Sequence, residues 1–207
     1  MAYLDFGRAV RGVDTLLRQR LGIREITDDE ECIFRVSLAA ARASLRLSDG
    51  TRVAAGAAVL ELHFWNEHLP IMPAQGPSVA WANLLKRRLY RSLAILAAHL
   101  EGDPLLADII ALNGAPPFAS RLGLAQMVRT ARRFGFEVID PDAPPDRHGR
   151  LYLLLDGLLL WGMARAYNPA SLSGKRLRRQ RYQLWMSRAR LLGRYAGGLG
   201  PAAPTRH

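Results

Sequence analysis

The stretch "LSDGTRVAAGAAVLELHFW", residues 47–65, decides the fold because a turn signal precedes the longest strand pattern of the chain. Asp49 and Gly50 form an Asp-Gly pair, which is typical of tight hairpin turns. The residues 52–65 then predict a long strand with a second bend at Gly56. With the strand patterns "CIFRVSLA" (32–39) and "ASLRLS" (43–48) before it, this stretch predicts an early antiparallel β-meander.

Helices are predicted where apolar residues recur at helical spacing. They cover residues 3–21, 79–100, 120–135, 151–166 and 175–195. Short strands are predicted over 107–114 and 136–140, so that the helix between them completes a βαβ-like unit. Ser120 is the expected N-cap of that helix, and Gly135 its C-terminal stop.

These elements predict a single α+β domain over residues 1–196. It combines the early antiparallel β-meander and the βαβ-like unit, packed against several helices, with two C-terminal helices. Residues 197–207, rich in Gly, Pro and Ala, are predicted to be a disordered tail. The length of 207 residues suits one domain with a hydrophobic core.

Composition narrows the class of protein. Cys32 is the only cysteine, which excludes an internal disulfide and a multi-cysteine zinc site and favours a reducing compartment. The most apolar stretch, 151–164, is interrupted by Asp156 and is shorter than the roughly 20 residues of a membrane span. The N-terminal residues lack the unbroken apolar core of a signal peptide. We therefore expect a cytoplasmic protein, peripheral at the inner membrane if it contacts the membrane at all.

The formal net charge of +11 is concentrated near the C-terminus. Residues 157–207 hold ten Lys or Arg and no Asp or Glu. Only Lys86 and Lys175 are lysines among the 29 basic residues. Arginine suits bidentate contacts with phosphate and carboxylate, although a GC-rich genome would produce the same bias. The charge predicts an anionic partner without identifying it.

Polar side chains crowd the stretch "ELHFWNEHLP", residues 61–70. Alternation along a strand places Glu61, His63 and Trp65 on the face opposite to the core. The histidines at 63 and 68 are five residues apart, not four on a helix as in a zincin, so we predict no metal and no cofactor. Two interpretations stay open: a catalytic acid–base group of His63, Glu67 and His68, or an ordinary polar strand end.

The helix predicted over 175–195 places Arg181 and Arg188 on its apolar face. Charges that point inward need partners, because an unpaired buried charge is very unfavourable. Three interpretations stay open: a structural ion pair with Asp156, a bound phosphate, sulfate or carboxylate, or side chains that extend to solvent. The second interpretation, a bound anion, makes Arg181 and Arg188 an anion-binding site.

The chain resembles the YkoP-like domain family. The resemblance is carried by "LSDGTRVAAGAAVLELHFWNEHLP" (47–70), by "ALNG" (111–114) with "RRFGFEV" (132–138), and by "RQRYQLWMSRARLLGRY" (179–195), and it covers about residues 35–196. Members stand alone or beside polysaccharide-deacetylase modules in bacteria. The resemblance implies envelope polysaccharide or glycolipid metabolism at the cytoplasmic membrane, and it assigns no catalytic residue.

Three functional hypotheses follow. The first is a membrane-adjacent protein of envelope metabolism that binds an anionic, phosphate-bearing lipid or sugar, with His63, Glu67, His68, Arg181 and Arg188 as its site. Whether it catalyses a reaction is left open. The second is an interaction module that docks an envelope-biosynthesis enzyme, or an anionic membrane surface, through the basic C-terminal helix. Nucleic-acid binding is the least favoured, because no nucleic-acid motif is present.

Overall fold

The structure is a computed structural model that describes residues 22–114, 124–139 and 182–197. The strands in these ranges are β1 (Phe34–Ala40), β2 (Leu45–Arg46), β3 (Arg52–Val53), β4 (Ala58–Phe64), β5 (Ala111–Gly114), β6 (Glu137–Ile139) and β7 (Gln183–Ser187). The α-helices are α1 (Val79–Gly102), α2 (Leu124–Arg133) and α3 (Arg188–Tyr195). The α+β class predicted from the sequence is confirmed.

A five-stranded mixed sheet in the order β1-β4-β5-β7-β6 is the centre of the fold. β1 and β4 pair antiparallel, with Phe34 opposite Phe64 and Ala40 opposite Ala58. From the end of β4 the chain returns through α1 and enters β5, which lies parallel to β4. A helix must make this return, because parallel neighbours cannot be joined by a tight turn. Ser78 starts α1 by accepting a hydrogen bond from the Trp81 amide at 3.1 Å.

The βαβ-like unit predicted near 107–140 is present in a split form. β5, α2 and β6 follow one another in the chain, but β7 lies between the two strands and is antiparallel to both. The helix ends at Arg133, and Gly135, the predicted stop, follows in the turn with a left-handed φ of +88°. The Phe136 amide then donates to the Ala131 carbonyl at 2.9 Å, which closes the last turn.

The predicted meander has a different strand order. β1 pairs directly with β4, while β2 and β3 form a separate two-stranded sheet between them. Gly50, at φ +90°, forms the tight turn between β2 and β3, and Gly56, at φ +83°, turns the chain from β3 into β4. The long strand predicted over 52–65 is therefore two strands, because the bend at Gly56 changes the direction of the chain.

The predicted helix over 175–195 is wrong in its middle part. Residues Gln183–Ser187 form β7, and helix α3 begins only at Arg188. Ser187 ends the strand and caps the helix by accepting from the Arg190 amide at 2.9 Å. Pairing with strands on both sides overrides the helical spacing of the leucines. The predicted helices over 3–21 and 151–166, the N-cap at Ser120 and the tail 198–207 lie outside the described residues.

The main core lies between one face of the sheet and the helices. Alternate residues of β1, β4, β5 and β7 contribute to it, together with one side of α1, α2 and α3. Its buried members include Phe34, Val36, Leu60, Leu62, Leu93, Leu96, Leu100, Leu112, Phe134, Met186 and Leu191. A second, smaller core on the opposite face lies under the β2–β3 hairpin, and it is formed by Leu47, Val53, Val59, Ala111 and Trp185.

Candidate functional site

The sheet face opposite to the helices carries a group of polar side chains. The strand register places Ser37 opposite Glu61, and Glu61 opposite Asn113, so that these three side chains form one row across β1, β4 and β5. His63 lies on the same face, two residues further along β4. We call Ser37, Glu61, His63 and Asn113 the polar sheet face. The predicted orientation of Glu61 and His63, away from the main core, is confirmed.

Ser37 and His63 form a fixed pair within the polar sheet face. The Ser37 Oγ lies 2.9 Å from the His63 Nε2, and Ser37 is buried. Within the described part of the chain, the Glu61 carboxylate and the Asn113 side-chain amide have no hydrogen-bond or ion-pair partner. Both residues are partly exposed. The face therefore combines a positioned imidazole with two groups that can still accept or donate hydrogen bonds.

A second group of side chains, the strand-end cluster, lies where β4 ends, and Arg35 is at its centre. Arg35 is 5% exposed, and its guanidinium lies 3.0 Å from the Glu25 carboxylate and 3.5 Å from that of Glu67. It also lies 4.4 Å from the centre of the Trp65 ring. Two carboxylates neutralise this buried charge, as burial of an arginine requires. Glu67 therefore acts here as a counter-ion.

His68 belongs to the same cluster and is held by backbone contacts. Its Nδ1 lies 2.8 Å from the Cys32 carbonyl oxygen, and its ring stacks on Trp65 with 3.6 Å between the ring centres. The Arg88 guanidinium of α1 donates to the His68 carbonyl. These contacts fix the chain where β4 leaves the sheet. Of the three predicted catalytic residues, His63 lies on the polar sheet face, and Glu67 and His68 lie in the strand-end cluster. The two groups adjoin at Arg35, which is the register partner of His63 and the ion-pair partner of Glu67.

A polar network that the sequence reasoning missed fastens the β2–β3 turn to the sheet. The Ser187 hydroxyl donates to the Asp49 carboxylate. Glu137 accepts hydrogen bonds from the Ser48 amide at 3.0 Å and from the Ser48 hydroxyl at 2.7 Å. Arg190 donates to Glu137 at 2.6 Å and lies 3.7 Å from Asp49. The network fastens the β2–β3 hairpin to β6, β7 and α3 on the sheet face that also carries the polar sheet face.

The pKa values of the two carboxyls in this network shift in the same direction. Burial raises the pKa of Glu137, but the bonds from Ser48 and Arg190 outweigh it, and the net pKa lies below the usual 4.5. Burial likewise raises the pKa of Asp49, but the Ser187 and Thr51 donors and the nearby Arg190 bring it below 3.8. Both groups are therefore held ionised in the folded protein.

Arg188, the predicted anion-binding residue within the described range, is occupied by backbone carbonyls. Its guanidinium donates to Leu100 at 2.7 Å, to Leu106 at 2.5 Å and to Ala107 at 3.0 Å. It lies at the end of the sheet where β4 begins, about 20 Å from the strand-end cluster by the length of the strand. The geometry gives it a structural role at the end of α1. Arg181 and Asp156 lie outside the described residues.

Residues 22–114, 124–139 and 182–197 contain no group of three or more His, Cys, Asp or Glu side chains that could hold a metal ion. Cys32 is fully buried, and this burial raises the pKa of its thiol. A buried thiol with a raised pKa is a weak nucleophile. Among the same residues, no helix is long and apolar enough to cross a membrane.

The sequence contains signals for the site residues that the sequence-based prediction did not name. Arg35 and Ser37 interrupt an apolar strand at alternating positions, which marks a polar face. Asn113 occupies a similar position in the apolar run 107–114. Ser187 is an N-cap residue type before a helical segment. Only the strand register shows that Ser37 and Asn113 flank Glu61 on either side.

Fold and site together define a small α+β protein with one sheet face packed against helices and the other partly polar. The family model of the YkoP domain matches residues 7–195, so the chain belongs to the YkoP domain family. No curated protein and no solved structure matches the chain.

Proposed function

We propose that this protein is a peripheral, cytoplasmic binding protein of cell-envelope polysaccharide or glycolipid metabolism. Its ligand is a sugar or lipid head group that bears phosphate, and the hydroxyl groups of that ligand contact the polar sheet face. The envelope setting is what the resemblance to the YkoP-like domain family implies. The contact surface is argued from the geometry of the described residues.

The observation that carries the proposal is a pair of partly exposed groups, Glu61 and Asn113, that have no hydrogen-bond or ion-pair partner among the residues that the structure describes. They are register neighbours on β4 and β5, so their side chains stand about 5 Å apart at Cβ. A carboxylate accepts hydrogen bonds, and an amide both donates and accepts them. Adjacent sugar hydroxyls require this combination, because each hydroxyl is at once a donor and an acceptor.

His63 completes the surface as a third contact. Its ring is oriented by the buried Ser37, which makes Ser37 a positioning residue for the imidazole. Orientation before binding reduces the entropy that is lost on binding. The net charge of +11 supports an anionic ligand, since a positive protein attracts phosphate groups from a distance.

The test is calorimetric titration of the full chain with N-acetylglucosamine 1-phosphate, with N-acetylglucosamine and inorganic phosphate titrated separately. The sugar phosphate is expected to bind more tightly than either part. Glu61→Gln and Asn113→Ala are each expected to weaken its binding by about 2- to 10-fold, as loss of one hydrogen bond does.

Asn83→Ala is the matched control, because Asn83 is an exposed amide on α1 and lies outside the polar sheet face. Its affinity for the sugar phosphate should equal that of the wild type. Unchanged affinity in both Glu61→Gln and Asn113→Ala, with the fold intact by circular dichroism, would remove the polar sheet face as the contact surface.

A further inference from the structure

Four arginines lie together where helix α2 meets the end of helix α3. Arg129, Arg132 and Arg133 are exposed on α2, and Arg194 is exposed in the last turn of α3. Spacings of three and four residues place Arg129 beside both Arg132 and Arg133 on one side of the helix. The Arg194 guanidinium donates to the Arg133 carbonyl oxygen, so the two helices present one continuous group. We call these four residues the arginine patch.

Packing and the helix dipole explain only part of the arginine patch. Ala131, on the other side of α2, is buried in the main core, so α2 is an amphipathic helix with a cationic outer side. Cations in the last turn of a helix interact favourably with its dipole, which accounts for Arg132 and Arg133. Arg129 lies before that turn. Neighbouring arginines at this spacing destabilise a helix by a few tenths of a kcal/mol.

The elements that carry the arginine patch offer it no carboxylate. Glu137 is the only Asp or Glu in residues 124–139, and it already accepts from Arg190 and Ser48. Residues 182–197 contain no acidic residue at all. No acidic side chain in the described part of the chain forms a hydrogen bond or ion pair with an arginine of the patch. The positive charge of the patch is therefore available to a partner.

The segment 28–33, which holds four acidic residues, lies on a different side of helix α1. It contacts α1 through an ion pair with Arg91 and a hydrogen bond to the Ser92 hydroxyl. Tyr90 is about 100° around the helix from Arg91 and about 160° from Ser92. Its ring lies 4.9 Å from that of Phe134, which directly follows α2. The acidic segment therefore neutralises the side of α1 that faces away from the arginine patch.

The chemistry of the arginine patch fits the phosphate groups of an anionic lipid surface. Guanidinium groups bind phosphate oxygens in pairs, and four or more basic residues on an amphipathic helix attract anionic lipid. Single-stranded nucleic acid fits less well, because its bases stack on aromatic side chains. No aromatic residue in 124–139 or 182–197 is more than partly exposed. Among the described side chains of these ranges, none is a large exposed apolar one that could insert into a bilayer.

We propose that the arginine patch binds the surface of a bilayer that contains anionic phospholipid, through charge and without insertion. This inference deepens the peripheral location in the proposed function and rests on it, whereas it does not depend on the polar sheet face as a sugar-binding surface. Helix α2 covers one face of the sheet, and the polar sheet face lies on the other. Both surfaces can therefore be occupied at the same time.

The test is sedimentation of the full chain with vesicles of phosphatidylcholine and phosphatidylglycerol in equal parts, and with vesicles of phosphatidylcholine alone. The wild type is expected to bind the first vesicles at about 0.05 M NaCl and to leave them at about 0.5 M, because salt screens exposed charges. It should not bind the second. The double variant Arg129→Gln/Arg132→Gln should bind the anionic vesicles about 10- to 30-fold more weakly, since two of the four contacting charges are lost.

Arg24→Gln/Arg42→Gln is the matched control, because it changes the net charge of the chain by the same amount. Both arginines are exposed near β1, at the edge of the sheet opposite to β6. Vesicle binding of this control should stay within about threefold of the wild type. Equal loss in the two double variants would show that only net charge matters and would overturn the proposal. Unchanged binding of Arg129→Gln/Arg132→Gln, folded by circular dichroism, would overturn it too.

Further measurements separate this proposal from the others. Glu61→Gln should bind vesicles like the wild type, and Arg129→Gln/Arg132→Gln should keep its affinity for N-acetylglucosamine 1-phosphate. A wild type that binds the sugar phosphate but neither kind of vesicle would remove the membrane association and leave the sugar site standing. If the wild type bound a short DNA duplex and no vesicles, and the double variant lost that binding, the patch would belong to nucleic acid and the proposal would be overturned.

Discussion

The two faces of the central sheet have the same strands and opposite chemistry. On one face, Leu60, Leu112 and Met186 are buried against helices in a continuous apolar core. On the other, the β2–β3 hairpin packs over Val59, Ala111 and Trp185, and among the described residues Glu61 and Asn113 are partly exposed. Because strand side chains alternate, one sequence provides both faces. The helix-covered face contributes the main core, and the opposite face combines a smaller core with polar side chains.

The largest expected effect tests the helix-covered face. Leu96→Ala removes a fully buried side chain from α1, and we expect the free energy of unfolding to fall by about 2–5 kcal/mol. Urea denaturation followed by circular dichroism measures it. Asn113→Ala, on the opposite face, should change it by less than about 0.5 kcal/mol. Comparable losses in the two variants would contradict the division of roles between the faces.

A smaller effect tests Arg188, which lies at the end of the sheet away from the strand-end cluster. Arg188→Met keeps most of the side-chain stem but removes the donors to three carbonyls, so we expect a loss of about 2–3 kcal/mol in the free energy of unfolding. Arg87→Met is the control, since this exposed arginine contributes less than about 1 kcal/mol. Stability that is unchanged in Arg188→Met, with weakened binding of inorganic phosphate, would restore Arg188 as an anion ligand.

The smallest effect is a pH dependence of the network that holds the hairpin. The pKa of Glu137 is lower in the folded protein than its usual 4.5, so the unfolded chain binds protons first as the pH falls. Stability is therefore present above that value and decreases as the pH falls through the lower, folded pKa. Glu137→Gln should lose stability at neutral pH and show a shallower decrease between about pH 5 and pH 3, measured by urea denaturation.

Glu101→Gln is the control for the pH experiment, because Glu101 is exposed at the end of α1 and belongs to no such network. It should follow the wild-type pH dependence. If the free energy of unfolding of Glu137→Gln fell with pH as steeply as that of the wild type, this network would not hold the hairpin in the way that we describe.

Much of the fold could be predicted from local signals. The Asp-Gly turn, the bend at Gly56 and the stop at Gly135 depend on residues that favour particular backbone angles. The region 183–187 could not be predicted in this way, because leucines at helical spacing also fit a strand of five residues. Pairing with β5 and β6 decided it, and those partners lie about 70 and 45 residues earlier in the chain.

The candidate site could be predicted only in part. Alternation placed Glu61 and His63 on one face, and the structure confirms this placement. The alternation of side chains along β4 could not show that Asn113 is the neighbour of Glu61, since that depends on the parallel register of β5. The prediction that Arg188 lies on the last helix is correct, but its carbonyl partners Leu100, Leu106 and Ala107 could not be predicted, since they lie more than 80 residues earlier in the chain.

The sequence by itself determined the α+β class, the turns and the division of β4 into an apolar and a polar side, because these depend on backbone preferences and on the spacing of neighbouring residues. Only the tertiary structure decided which polar groups meet, which arginines are already bound and which apolar residues stay exposed. These outcomes depend on strand order and register and on how the helices pack on the sheet. No local pattern encodes contacts between residues that are distant in the chain.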